Sequence, residues 1–115
     1  MDEVTNSTLI SAAMGILTYA GDARIHAKQA LQAIQSFDFT LAQSELAEAS
    51  QNITEAHKAQ TEIIQNEARG TKYEYCMLFN HAQDTLMTIN SEVELIKELI
   101  KTFKIFAEAI HAEVK

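Results

Sequence analysis

Apolar residues recur at steps of three and four along three stretches of this chain. In the first, Ile10, Ala13, Leu17, Ala20, Arg24, Ala27, Leu31 and Ile34 fall in line, with Arg24 as the charged member. In the second, Ala42, Leu46, Ala49, Ile53, Ala56, Gln60 and Ile63 do so, with Gln60 as the polar member. In the third, Leu86, Ile89, Val93, Ile96, Ile100, Phe103, Ala107 and Ile110 continue the pattern. A period of this kind marks one face of an α-helix, and seams of this width are of the coiled-coil type.

Two interruptions separate the stretches. Ser36-Phe37-Asp38 precedes Phe39 and Thr40, and Asp38 suits an N-cap. At Arg69-Gly70-Thr71, Gly70 suits the left-handed position that follows a helix end. The spacing predicts helices over roughly 5–35, 39–69 and 73–112 in a single domain spanning 1–115. Each is about 30 residues and about 45 Å long. Short loops between long helices set neighbours antiparallel, so the expected fold is all-α, an up-down-up three-helix bundle. Gly21 falls inside the first helix, where it costs about 1 kcal/mol relative to alanine. Because the seam runs unbroken across it, close approach of a neighbouring helix is the expected reason.

The third helix carries a second apolar row, Leu95, Leu99 and Phe106, beside the first. A helix in a three-helix monomer needs to bury only one stripe of about 100°. The surplus implies a second burial surface, most simply self-association, with cyclic dimers and trimers both open.

Composition agrees with helices. The 115 residues include no proline and three glycines, 47% are hydrophobic and 7% aromatic. Nine Lys and Arg against sixteen Asp and Glu give a net charge of −7. Such a surface repels phosphate backbones and anionic membranes, which argues against nucleic acid as a partner. The lone cysteine, Cys76, has no disulfide partner, and a reducing cytoplasm fits it best. Flanked by Tyr73, Tyr75, Met77 and Leu78, it reads as a buried small hydrophobe. Asp2 and Glu3 do not make a signal peptide, and no run of 18 apolar residues occurs.

Four histidines are candidates for chemistry. His111 follows Glu108 by three residues, half of a di-iron carboxylate motif, but no second copy and no fourth helix complete it. His57 lies one turn from the seam residue Gln60, and the two read equally as a polar pair that fixes helix register or as groups near an active site. His26 stands near Arg24, which should find a cross-helix carboxylate or carbonyl if buried. His81 and Asp84 lie three apart on one helix face, with Thr85 and Thr88 following on the same side. Leu78, Phe79, Ala82, Leu86 and Met87 flank them. A polar strip edged by apolar residues suits a subunit boundary. An imidazole with an accessible nitrogen is a competent nucleophile near neutral pH, and attack at phosphorus would give a labile N–P bond. Phosphoryl transfer needs positioning and charge stabilisation more than covalent machinery, so a small scaffold suffices.

Three segments in this order and spacing resemble the IIA component of the lactose/cellobiose (chitobiose) branch of the bacterial sugar phosphotransferase system. They are Tyr19-Ala20-Gly21-Asp22-Ala23-Arg24, then Glu55-Ala56-His57 with Gln60-Thr61, then His81-Ala82-Gln83-Asp84 with Leu86-Met87-Thr88. The resemblance covers nearly the whole chain. It implies that His81 is the phosphorylated residue. It further implies that phosphate arrives from the phosphohistidine of the carrier HPr and leaves for a cysteine of the IIB component, serving a membrane IIC component indirectly. It implies a homotrimer of three-helix subunits in which Asp84 meets its symmetry mates around a magnesium ion. Three buried carboxylates would repel unless a cation or protons intervened, and oxygen ligands suit a hard divalent ion. Relatives usually carry a second histidine where this chain has Thr85. The alternative expectation is a non-catalytic helical interaction module that binds a partner helix along Leu95, Leu99 and Phe106.

Overall fold

The side chain of Asp38 accepts a hydrogen bond from the backbone N–H of Leu41 at 3.0 Å, so it caps the second helix as its position predicts. The preceding turn is tight. Phe37 takes φ of 58° while its N–H reaches the carbonyl of Ile34 and that of Asp38 reaches Ala33. A phenylalanine in this left-handed region costs about 1 kcal/mol. A tilted contact of its ring with Phe103, with centroids 5.8 Å apart, offsets that cost. Gly70, with φ of 108°, closes the other end of the same helix.

The computed structural model describes residues 3–114, and side chains from 5 to 111. Three helices make up the described residues, α1 (Glu3–Gln35), α2 (Phe39–Ala68) and α3 (Met77–Val114), with no strand among them. The third helix therefore starts at Met77 rather than near 73. Residues 71–76 are irregular instead. Tyr73 and Cys76 pack against the core, and the Tyr73 hydroxyl accepts from Asn66 Nδ2 at 3.0 Å, which ties this connection to α2. Cys76 is half-buried rather than fully buried.

Two apolar clusters hold the helices together. Leu9 near the start of α1 shares one with Ile63 near the end of α2 and with Phe79 near the start of α3. Ile34 at the end of α1 shares the other with Ala42 and Leu46 of α2 and Ile100 of α3. Between these ends, Leu86, Ile89 and Val93 of α3 are buried against Ala20, Ala23 and Ala27 of α1 and against Ala49, Ile53 and Ala56 of α2.

The α1 seam follows the sequence reading at Ala13, Ala20, Ala27 and Ile34, all buried, and differs on the flank beside them. Leu9, Ile16, Ala23 and Ala30 are buried, whereas Ile10 is exposed and Leu17, Arg24 and Leu31 are half-buried. On this flank the helix buries Leu9 and Ile16 rather than Ile10 and Leu17, and the alanines at 23 and 30 rather than Arg24 and Leu31. Small residues let the helices approach closely, and that packing decides the phase. Gly21 is not a point of close approach within the subunit, because a Cβ there would meet nothing within 4 Å.

The α3 seam ends earlier than its pattern does. Ile100 is fully buried, but Phe103 is 37% exposed and Ile110 45% exposed. The turn between α1 and α2 meets α3 at Phe103, which touches Phe37 and Phe39. Beyond it no α3 residue with a described side chain is fully buried, and only the clefts beside Phe37 and along α2 adjoin this part of the helix.

Leu86 is completely buried at the centre of the larger cluster. Leu86→Ala is expected to lower stability by about 3 kcal/mol through lost transfer energy and a residual cavity, read as a shift in the urea denaturation midpoint.

Candidate functional site

Burial of Ala82, Leu86 and Ile89 fixes the rotation of α3, and residues on the other side of the turn point outward. His81, Asp84 and Thr88 are exposed along one strip, and Thr85 is half-buried at its edge. Among the described residues, neither His81 nor Asp84 has a side-chain hydrogen bond or ion pair. The imidazole is thus open to solvent near one end of the bundle, on a helix rather than a loop.

The other histidines differ. Nδ1 of His26 lies 2.6 Å from Oε2 of Glu45 across the α1–α2 contact, so this ring is engaged in joining helices. His57 is not the partner of Gln60. Gln60 donates to Oε1 of Gln83 at 3.0 Å instead, tying α2 to α3 at the level of the strip. His57 lines a shallow groove along α2 with Thr54 and Thr61. Gln83 was missed as a partner because it sits at the edge of the α3 seam, where amide side chains give no periodic signal. His111 borders an apolar cleft with Phe37, Phe106 and Ile110, whereas Glu108 lines a different groove. The Glu-x-x-His pair therefore does not converge on one point.

Arg24 does find its cross-helix carboxylate. Its Nε and Nη2 donate to the two oxygens of Glu92 on α3 at 2.8 and 2.9 Å. This two-bond geometry is the strong form of the pair. The hydrogen bond from Arg24 holds the Glu92 carboxyl below its ordinary value of 4.5; burial opposes it, and weaker attraction to Arg24 and Lys28 adds to the lowering. The same contact raises the Arg24 guanidinium. Glu92 lies three helical turns beyond His81 on the same side of α3 and pins that side to α1.

Among the described residues, no three His, Cys, Asp or Glu side chains come together in a way that could hold a metal ion. Asp84 offers one carboxylate, a hard oxygen donor with no competing partner in its own chain. A metal there would need donors from outside the subunit. No helix among the described residues is long and apolar enough to cross a membrane. What the strip offers chemically is one accessible nitrogen nucleophile on a rigid support, reachable by a docking protein.

Comparison with known proteins finds relatives in sequence and in fold. Residues 11–104 match the family model described as PTS system, Lactose/Cellobiose specific IIA subunit. The chain is 35% identical over 100 residues to the lactose-specific EIIA component of Lacticaseibacillus casei, covering 87% of this chain and 89% of that protein. It is 40% identical over 89 residues to the corresponding component of Staphylococcus epidermidis, covering 77% and 86%. The crystal structure of the cellobiose-specific enzyme IIA from Bacillus anthracis superimposes with a TM-score of 0.82 at 34% identity, covering 94% of this chain and 95% of that one. The solution structure of the IIA(chitobiose)–HPr complex from Escherichia coli gives 0.75 at 32% identity, covering 86% and 96%.

Because the folded Glu92 carboxyl lies below its ordinary value, the ion pair's contribution is complete above about pH 4.5 and fades as pH falls through the depressed value. Both side chains are 40% exposed, so solvent screening limits this contribution to below about 1 kcal/mol. Glu92→Gln is expected to lose that increment at neutral pH and to flatten the acid limb of a stability–pH curve, measured by thermal melts between about pH 3 and 7.

Proposed function

This chain belongs to the lactose/cellobiose-specific IIA family of the phosphotransferase system, and from that membership we propose that it is a phosphoryl carrier acting through His81. A lone pair on the His81 imidazole attacks the phosphorus of the phosphohistidine on HPr. The new N–P bond forms as the donor's N–P bond breaks, and the donor imidazole leaves neutral. In the second step a cysteine thiolate of the IIB component attacks the same phosphorus, and His81 is restored. The cargo is then used by the membrane IIC component to phosphorylate a β-linked disaccharide such as cellobiose, chitobiose or lactose. The carrier itself works in the cytoplasm and touches no sugar. The observation that carries this reading is the exposed, unpartnered ring of His81 on a fixed helix. The E. coli chitobiose relative, solved in complex with HPr, supports HPr as the donor.

The working form in this reading is a homotrimer of up-down-up subunits. Leu95 is 61%, Leu99 46% and Phe106 60% exposed in the single chain, an apolar row that needs cover. Asp84 precedes Leu95 by eleven residues, close to three helical turns, so the two share a side of α3. Covering the row from neighbouring subunits therefore brings Asp84 to the interface and leaves His81 at its rim. Converging carboxylates repel, and a shared Mg2+ relieves that charge, so Asp84 is the residue that would hold it. The role of that ion is structural. Thr85 stands where relatives usually carry histidine, and the carrier step does not require it.

Incubation with phosphorylated HPr is expected to label the wild-type chain with acid-labile phosphate and to leave His81→Ala unlabelled while its helical content is unchanged. Labelling of the alanine variant would remove the assignment. Native mass spectrometry is expected to show three chains for the wild type and still three for Asp84→Leu, in which apolar contact replaces the converging charges. Monomers from that variant would count against a purely structural ion.

A further inference from the structure

A groove of about 700 Å3 lies between α2 and the later part of α3, away from the strip that bears His81. Its α3 wall carries Lys97, Lys101 and Lys104, a third of the nine cations in a chain whose net charge is −7. Lys97 is paired with Glu94 at 3.3 Å, whereas Lys101 and Lys104 have no ion pair among the described residues. The opposite wall, from α2, presents the uncharged Gln43 and Ser50. Leu46 and Ala47 of α2 and Ile105 of α3 give the groove an apolar lining, with Ile105 62% exposed. Glu108 closes the row one turn beyond Lys104.

We propose that this groove is a docking site for an acidic amphipathic helix of a partner protein. The lysines follow each other at four and three residues, so their Cα atoms span about 10 Å along α3. A single phosphate group could bridge neighbouring lysines but would leave the apolar lining of the groove uncovered. A helix laid along the groove presents carboxylates at the same three- and four-residue steps and buries its apolar face on Ala47 and Ile105, over the edge of the core residue Leu46. The site is a recess, so a flat bilayer would reach its lysines less well than an inserted helix does. Charge complementarity against an otherwise acidic surface gives the contact its selectivity and its approach rate.

The groove is independent of the carrier reading. Lys97 to Lys104 lie about 24 to 35 Å from His81 along the helix. They also lie about 170° around α3 from the Leu95–Leu99–Phe106 row, so covering that row leaves the groove open. Glu94 and Glu108 are the acids on the same wall, and they confine the attractive stretch to its middle.

The test uses the full chain, 15N-labelled, titrated with a blocked amphipathic peptide of about 15 residues bearing leucines on one face and glutamates at steps of three and four beside them. Amide shifts are expected at Leu46, Ala47, Ser50, Lys101 and Lys104. Lys101→Glu with Lys104→Glu is expected to weaken binding about tenfold, and Lys101→Gln with Lys104→Gln about threefold, both with unchanged helical content. Labelling of His81 by phosphorylated HPr should be the same in these variants as in the wild type. Equal affinity for a scrambled peptide of the same composition would overturn the proposal. So would equal affinity of the charge-reversed variant, the same shifts with inorganic phosphate, or preferential capture by anionic vesicles.

Discussion

The rotation of α3 about its own axis is the constraint on which the rest depends. Ala82, Leu86, Ile89, Val93 and Ile100 are sealed against the other two helices, and no other phase would bury that set. A helix turns about 100° per residue, so once these five are inside, the bearing of every other α3 side chain is determined. His81 and Asp84 face outward because their neighbours face inward. The ion pair of Arg24 with Glu92 and the amide contact of Gln60 with Gln83 then hold α3 to α1 and α2 at two heights. Neither tie is strong alone, but both oppose a slip of the helix that the apolar contacts would otherwise tolerate.

Much of this was legible from periodicity, and the exceptions have identifiable causes. The α2 seam was read correctly because Leu46, Ile53 and Ile63 punctuate its alanines, and all are buried. Asp38 and Gly70 act where their chemistry places them, at the two ends of α2. In α1 the periodicity places Ala13, Ala20, Ala27 and Ile34 correctly but leaves open which flank joins them, Leu9–Ile16–Ala23–Ala30 or Ile10–Leu17–Arg24–Leu31. The flanks match in size at their first two positions, and contact between helices takes Ala23 and Ala30 over the bulkier Arg24 and Leu31. The apolar pattern of α3 ran past Ile100 into Phe103 and Ile110 because periodicity records that a face is apolar, not what covers it. At the site, the exposure of His81 followed from the seam, whereas the choice of Gln83 over His57 as partner of Gln60 needed the relative height of two helices.

The single helix α3 therefore presents different chemistry on different bearings. One side joins the core. Another carries the imidazole, the free carboxylate and the row of exposed aliphatic and aromatic residues. The third carries lysines beside an acid-free wall of α2. A rigid rod of 38 residues can serve these surfaces at once because each uses its own stripe and its own stretch of length.

The contact between α1 and α2 is built largely from alanine: Ala13, Ala20, Ala23, Ala27 and Ala30 on one helix, Ala42, Ala49 and Ala56 on the other, all buried. Alanine has no rotamers to lose and none with which to adjust. Any bulkier replacement there must push whole backbones apart, while the branched residues of α3 can exchange with one another and repack locally. Neutral drift over generations should accordingly run at two speeds in one small domain, slow along the hairpin of small residues and faster along the rod that leans on it.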